Sequence, residues 1–159
     1  MSGFSRPKQL PVGVGIEGFS CGDAIVDDWV ARHSATARKR GTAVIYASYC
    51  DGKVAGFYTL SAHSVARADV GGWMSRNAPE QVPAVLLGMM GVDERHKGCG
   101  LGASLLQDAI LNATKIAQLA GARALVVDPT GEEAASFYEH FGFTQLGRTE
   151  RMALKLPLE

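Results

Sequence analysis

Residues 84 to 106 read AVLLGMMGVDERHKGCGLGASLL: an apolar run, a short charged turn, three glycines on alternate positions, and then a helix-forming stretch. The run Ala84–Val92 is too short for a helix and is bounded by punctuation, which reads as a buried strand. Downstream, Leu101, Leu105, Leu106, Ala109, Ile110 and Ala113 recur at intervals of three and four, which predicts an amphipathic helix that stops near Gly121. Between them, Gly98, Gly100 and Gly102 occupy a place where Ser, Thr, Asp or Asn would cap a helix better. A helix N-terminus carries unsatisfied N–H groups and a partial positive charge, so bare backbone at that point suits a phosphate group. The Walker pattern is excluded because no Gly-Lys-Ser or Gly-Lys-Thr occurs, and the dinucleotide fingerprint is excluded because the glycines alternate strictly.

The rest of the chain arranges itself around this strand, turn and helix. FSCGDAIVDDWVARHSATARKR (residues 19–40) predicts a helical region with Asp23 as N-cap and Gly41 as its stop. TAVIYASYC and KVAGFYTLSAHSV are β-branched and aromatic runs joined by Asp51-Gly52, a strong hairpin signal. A polar connection from about Arg67 to Pro83 carries Trp73 and Met74, for which exposure toward a partner and core packing are both open. ARALVVD predicts another strand, EEAASFYEHFGF a short helix stopped at Gly142, and Phe143–Leu156 a closing strand region. The expected class is mixed α/β (α+β), organised as a single domain over residues 1–159.

Composition narrows the class further. Sixteen Lys and Arg balance sixteen Asp and Glu, so overall charge does not announce a nucleic-acid binder. Charge is nonetheless concentrated in RHSATARKR (residues 32–40), where Arg32, Arg38, Lys39 and Arg40 cluster. This is either a solvated helix end or a phosphate-binding patch. Cys21, Cys50 and Cys99 have no C-x-x-C spacing, which argues against a disulfide framework or a zinc knuckle, so no metal is expected. There is no apolar leader and no run of about 18 apolar residues, so a cytoplasmic protein with no membrane partner is expected.

The glycine turn resembles the pyrophosphate loop of the GNAT superfamily of acyl-CoA-dependent N-acetyltransferases, whose pattern is [Q/R]-x-x-G-x-[G/A]. Lys97, Gly100 and Gly102 align with it, Lys97 keeping the charge where the pattern has Gln or Arg; Arg95, Gly98 and Gly100 fill it in a shifted register. The first register puts Leu101 at the family's apolar position. The resemblance implies coenzyme contacts along Lys97, Gly98, Cys99, Gly100, Leu101, Gly102 and Ala103, with Met90, Gly91 and Val92 offering strand backbone to the pantetheine arm and thioester. Ala134, Phe137, Tyr138, Gly142 and Phe143 match a later A-x-x-F-Y-x-x-x-G-F. That match implies Phe137 and Tyr138 beside the coenzyme, with Tyr138 as general acid for the departing thiolate. It also implies the GNAT fold, a central, mostly antiparallel sheet of six to seven strands flanked by about four helices. Acetyl-CoA would be the co-substrate.

A second similarity runs through nearly the whole chain. The opening F-x-C-G-x-x-x-x-D-x-W, met here by Phe19, Cys21, Gly22, Asp27 and Trp29, resembles the toxin branch of this superfamily. This resemblance implies acetylation of the α-amine of aminoacyl-tRNA, a ribbon-helix-helix antitoxin and a homodimer. Charged tRNA would be contacted by Arg32, Arg38, Lys39, Arg40 and Arg95. Two other functions remain open on sequence: acetylation of a small amine or protein lysine, and a non-catalytic CoA-binding module. No general base stands out among His33, His63, His96 and His140.

Overall fold

The computed structural model describes residues 3–157. Their strands form one seven-stranded sheet in the order β1-β2-β3-β4-β5-β7-β6. The strands are β1 (Lys8–Gln9), β2 (Val44–Cys50), β3 (Lys53–Ala66), β4 (Gln81–Val92), β5 (Ala124–Val127), β6 (Thr144–Gln145) and β7 (Met152–Lys155). The helices are α1 (Ala24–Arg32), α2 (Ser34–Lys39), α3 (Gly72–Ser75), α4 (Leu101–Ala120) and α5 (Glu132–His140). β4 and β5 pair in parallel, while β1–β2, β2–β3, β5–β7 and β6–β7 pair antiparallel. This is the mixed, mostly antiparallel α/β architecture expected from the sequence.

The chain divides into two compact units: the stretch up to Ser61 with Gly88–Ala109, and Ala62–Leu87 with the stretch from Ile110 onward. In the first unit, Asp23 caps α1 by accepting from the Ile25 N–H at 3.0 Å. The single helical region expected over residues 23–40 is instead two helices meeting at His33. The Ser34 hydroxyl donates to the Val30 carbonyl at 2.7 Å, an interaction that competes with the backbone ladder and bends helices. The β2–β3 hairpin turns on Asp51 and Gly52, both at positive φ (51° and 78°), as a primed turn requires. Its core gathers Leu10, Ile16, Cys21, Val26, Ile45, Ala47, Val54 and Phe57. Phe57 meets Phe19 edge-on at 5.2 Å and stacks with Trp29 at 6.4 Å.

Gly56 on β3 decides how closely the first turns of α4 approach that strand. A Cβ there would lie 2.8 Å from Leu105 Cδ1, 3.1 Å from Leu101 Cδ2 and 3.2 Å from the Gly91 carbonyl. Its missing side chain therefore lets the first turns of α4 seat on β3.

In the second unit the core gathers Val65, Val70, Met74, Ala78, Val82, Ala84, Ala124, Val126, Leu146 and Ala153. Met74 is fully buried, and Trp73 is half-buried against the same core with Lys155 Nζ 5.9 Å from its ring. Of the two readings open for this segment, core packing is the one the structure shows. The Arg123 guanidinium donates to the Arg76 carbonyl at 2.5 Å, closing the end of α3.

Candidate active site

The site is best built from the end of β4. Its parallel ladder with β5 covers Val85, Leu86 and Leu87, and β4 then runs on through Gly88–Val92. Along this extension the Met89 N–H donates to Thr59 Oγ1 at 2.9 Å. Beyond it the Asp93 N–H donates to the Ala55 carbonyl at 2.8 Å. Met90 and Val92 are half-buried and Gly91 is buried. The chain then makes a 3-10 turn at Glu94–His96 and enters the glycines.

Gly98 and Gly100 both adopt positive φ, 79° and 80°, and a Cβ at either would find no atom within 4 Å. Glycine is thus placed here for backbone conformation and open access, and packing does not demand it. Lys97, Gly98, Cys99 and Gly100 are exposed, Leu101 is buried, and Gly102 and Ala103 are half-buried. The Ser104 N–H donates to the Gly100 carbonyl at 3.2 Å, so the N–H groups of Leu101, Gly102 and Ala103 precede the helical ladder. No acidic side chain sits in the first turn of α4, which leaves its positive end uncompensated. Such a turn is able to hold an anion.

Tyr138 lies on α5, buried against Phe143 and Phe137 with ring centroids 5.3 and 5.5 Å away. Burial pushes its phenol well above the usual range, so it stays protonated at neutral pH and is suited to donating a proton. Phe137 is half-buried beside it.

The basic residues fare differently. Lys39 and Arg40 are exposed at the end of α2, and exposed Arg32 pairs with Asp28 at 2.8 Å. Arg38 departs from the sequence expectation: it is buried, with Nε 3.3 Å from the Ser34 carbonyl and Nη1 2.8 Å from the Pro11 carbonyl. A guanidinium engaged by two carbonyls inside the protein is a structural tie, so Arg38 leaves the group of candidate phosphate contacts. Arg95 is half-exposed, but its Nε and Nη2 both bind Asp93, at 2.8 and 3.1 Å.

Two polar arrangements, one in each unit, carry no signal in the sequence. Asp93 is 2% exposed and gathers donors from Ser20 and Arg95; hydrogen bonds from the Arg95 side chain hold its carboxyl well below the usual range. Arg151, just before β7, binds Asp128 at 2.7 and 3.2 Å and approaches Nε2 of His63 at 2.8 Å. Burial and then the Arg151 charge lower the His63 value, so its imidazole is neutral. Arg95 is two residues from Asp93, but Ser20 lies 73 residues from it, and Asp128 and His63 lie 23 and 88 residues from Arg151, so no local pattern announces these groupings. Among the described residues, no group of three His, Cys, Asp or Glu side chains could hold a metal ion.

Residues 39–145 match the family model for the acetyltransferase (GNAT) domain, and the chain belongs to that family of acetyltransferases. It is 36% identical over 159 residues to the tRNA-acetylating toxin of Mycobacterium tuberculosis (strain ATCC 25618 / H37Rv), spanning 100% of this chain and 95% of that protein. Among solved structures, it is similar in fold to AtaT complexed with acetyl-methionyl-tRNAfMet, with a TM-score of 0.84, 22% identity, and 96% and 94% of the two chains covered. It is likewise similar to a Tyr-to-Phe mutant of the AtaT toxin bound to the C-terminus of the antitoxin AtaR and acetyl-CoA, with a TM-score of 0.80, 22% identity, and 96% and 92% coverage.

Proposed function

We propose that this acetyltransferase transfers the acetyl group of acetyl-CoA to the α-amine of aminoacyl-tRNA, as the toxin of a toxin–antitoxin pair. The observation that carries this reading is the 36% identity to a tRNA-acetylating toxin over the whole chain. The coenzyme diphosphate sits on the N–H groups of Leu101, Gly102 and Ala103, approached across bare Gly98 and Gly100 with Cys99 between them. Lys97 adds a positive charge from the exposed rim. Met90, Gly91 and Val92 present backbone to the pantetheine arm and thioester, and Phe137 packs beside the coenzyme.

The chemistry needs little beyond this. The neutral amine attacks the thioester carbonyl, a C–N bond forms, and the C–S bond breaks as the thiolate takes the Tyr138 proton. The α-amine, with a pKa of about 8, is roughly one-tenth neutral at pH 7, far more than a lysine with a pKa of about 10.4; after attack it releases its proton to water, and solvent reprotonates Tyr138, so no histidine base is required. Arg32, Lys39, Arg40 and Arg95 supply the tRNA phosphate contacts.

A toxin acting on charged tRNA works in the cytoplasm, and no helix of the described residues is long and apolar enough to cross a membrane. The partner we expect is a ribbon-helix-helix antitoxin bound to a homodimeric toxin; the fold neighbour bound to the antitoxin AtaR supports an antitoxin partner. The test is to incubate the protein with acetyl-CoA and total charged tRNA and to analyse the aminoacyl-adenosine ends by mass spectrometry. A mass increase of one acetyl group is expected. Thiol release with a small amine or lysine peptide, and none with any charged tRNA, would reassign the acceptor.

A further inference from the structure

The opening motif Phe19–Trp29 has no role in the chemistry above, yet its polar groups are committed to one corner of the molecule. Asp27 accepts from the backbone N–H groups of Cys21 and Gly22 at 2.9 and 3.1 Å, which fixes the loop ahead of α1. That loop then reaches the end of β4. The Ser20 N–H donates to Asp93 Oδ2 at 3.2 Å, and the Glu94 N–H donates back to the Ser20 carbonyl at 2.9 Å. Asp93 also accepts from the Arg95 N–H at 3.0 Å and from the Arg95 guanidinium at 2.8 and 3.1 Å.

Gly91 permits this close approach, and Gly22 gives the loop its left-handed turn. Gly22 is at positive φ (86°), and a Cβ there would lie 2.8 Å from Glu94 Oε1; a Cβ on Gly91 would lie 3.2 Å from both Cys21 Sγ and Val26 Cγ1. The apolar members of the motif anchor the same segment in the core, Phe19 edge-on to Phe57 and Trp29 stacked with it.

A nearly fully buried carboxylate costs free energy unless its oxygens are satisfied, and Asp93 meets that demand with four donors taken from both sides of the corner. It therefore ties the motif to the residues that lead into Gly98 and Gly100. We propose that Asp93 is a positioning residue that, supported by the Phe19–Trp29 motif, holds the turn before the glycines in its coenzyme-binding conformation. This inference rests on the proposed function. Asp93 acts through the backbone it anchors and Arg95 acts through Asp93, so the motif is a buttress for the coenzyme turn.

A preorganised turn raises affinity because less ordering is left to occur on binding. The experiment titrates free CoA, which cannot turn over, onto wild type, Asp93→Asn, Arg95→Gln and the double variant by calorimetry, and measures KM and kcat for acetyl-CoA alongside. Asp93→Asn should weaken CoA binding about tenfold and raise KM in parallel, with kcat within about twofold of wild type. The double variant should be no weaker than Asp93→Asn alone, because the two residues act as one unit. A merely structural role would instead reduce the folded fraction, lowering kcat at unchanged KM, and that result overturns the inference. So would fully additive losses, which would make Arg95 a direct coenzyme contact. If Asp93→Asn does not fold, Arg95→Gln, altered at a half-exposed side chain, decides the matter: wild-type affinity there overturns the proposal. Wild-type protein that binds no CoA would remove the proposed function, and this inference with it.

Discussion

Arg151 places Nη2 2.8 Å from Nε2 of His63. A guanidinium is always a donor, so Nε2 accepts, the ring proton resides on Nδ1, and the imidazole is neutral with its basic lone pair occupied. His63 is therefore held in place and is not free to take a proton from a substrate amine. Substituting His63→Gln should lower kcat less than about tenfold, well short of the loss expected on removing a general base.

The same contact predicts a pH dependence of stability. The folded-state value of His63 lies below the ordinary 6.5, so as pH falls the unfolded chain takes up this proton first. Its contribution is complete above about pH 6.5 and is lost as pH falls through the lower folded-state value. Melting curves between pH 7.5 and 5, measured by circular dichroism, should show a smaller acid-side decline in His63→Gln than in wild type. Parallel curves for the two proteins would refute this account. Asp93 does not confuse the result, because it is the same in both proteins and the contribution of a depressed carboxyl is lost only below about pH 5.

Tyr138→Phe removes a hydroxyl from a ring whose packing against Phe137 and Phe143 survives the change. Loss of a positioned general acid should lower kcat by about 10²–10⁴-fold while CoA affinity stays near wild type. Since burial holds the Tyr138 phenol protonated well beyond the usual range, wild-type rates should show no alkaline loss from this group up to about pH 10. Stopped assays of thiol release across pH 7 to 10 would check both points.

At Gly100 the two substitutions of interest act through different physics. Gly100→Ala meets no neighbour but must hold φ near 80°, at a cost of about 1–2 kcal/mol, so the turn should relax and CoA affinity fall modestly. Gly100→Glu adds a negative charge beside the proposed diphosphate and should abolish measurable binding. Equal affinities for the two variants would show that charge at this point is irrelevant.

Arg38 and its neighbours Lys39 and Arg40 should separate cleanly. Arg38→Ala removes the buried bond to the Pro11 carbonyl and should cost about 1.5–3 kcal/mol, lowering Tm by several degrees. Lys39→Glu and Arg40→Glu alter exposed side chains and should leave Tm nearly unchanged. Each should instead weaken tRNA binding and flatten its dependence on salt concentration, as expected for lost phosphate contacts. Filter-binding at two salt concentrations and a thermal melt give both readings.

What could be read ahead of the structure was local. Asp51-Gly52, Gly41, Gly121 and Gly142 marked turns and helix stops because each needs a backbone conformation that other residues disfavour, and each has positive φ in the structure. The strand, glycine turn and helix at residues 84–120 were legible because their periodicities differ. The break at His33 was not, because no glycine or proline signals it; what accompanies it is a Ser34 hydroxyl on the Val30 carbonyl. Arg38 looked like its neighbours in a basic run; its burial is set by the Pro11 carbonyl, 27 residues away. Asp93 and Arg151 were invisible as organising residues for a related reason: although Arg95 is adjacent to Asp93, the links to Ser20 and to His63 are made only by the fold.

The most direct measurement is a crystal structure of the protein with acetyl-CoA bound. The expected result is diphosphate oxygens about 3 Å from the N–H groups of Leu101, Gly102 and Ala103, with the backbone at Gly98 and Gly100 open beside them. A coenzyme bound elsewhere, with those N–H groups turned to solvent or closed off by side chains, would contradict it.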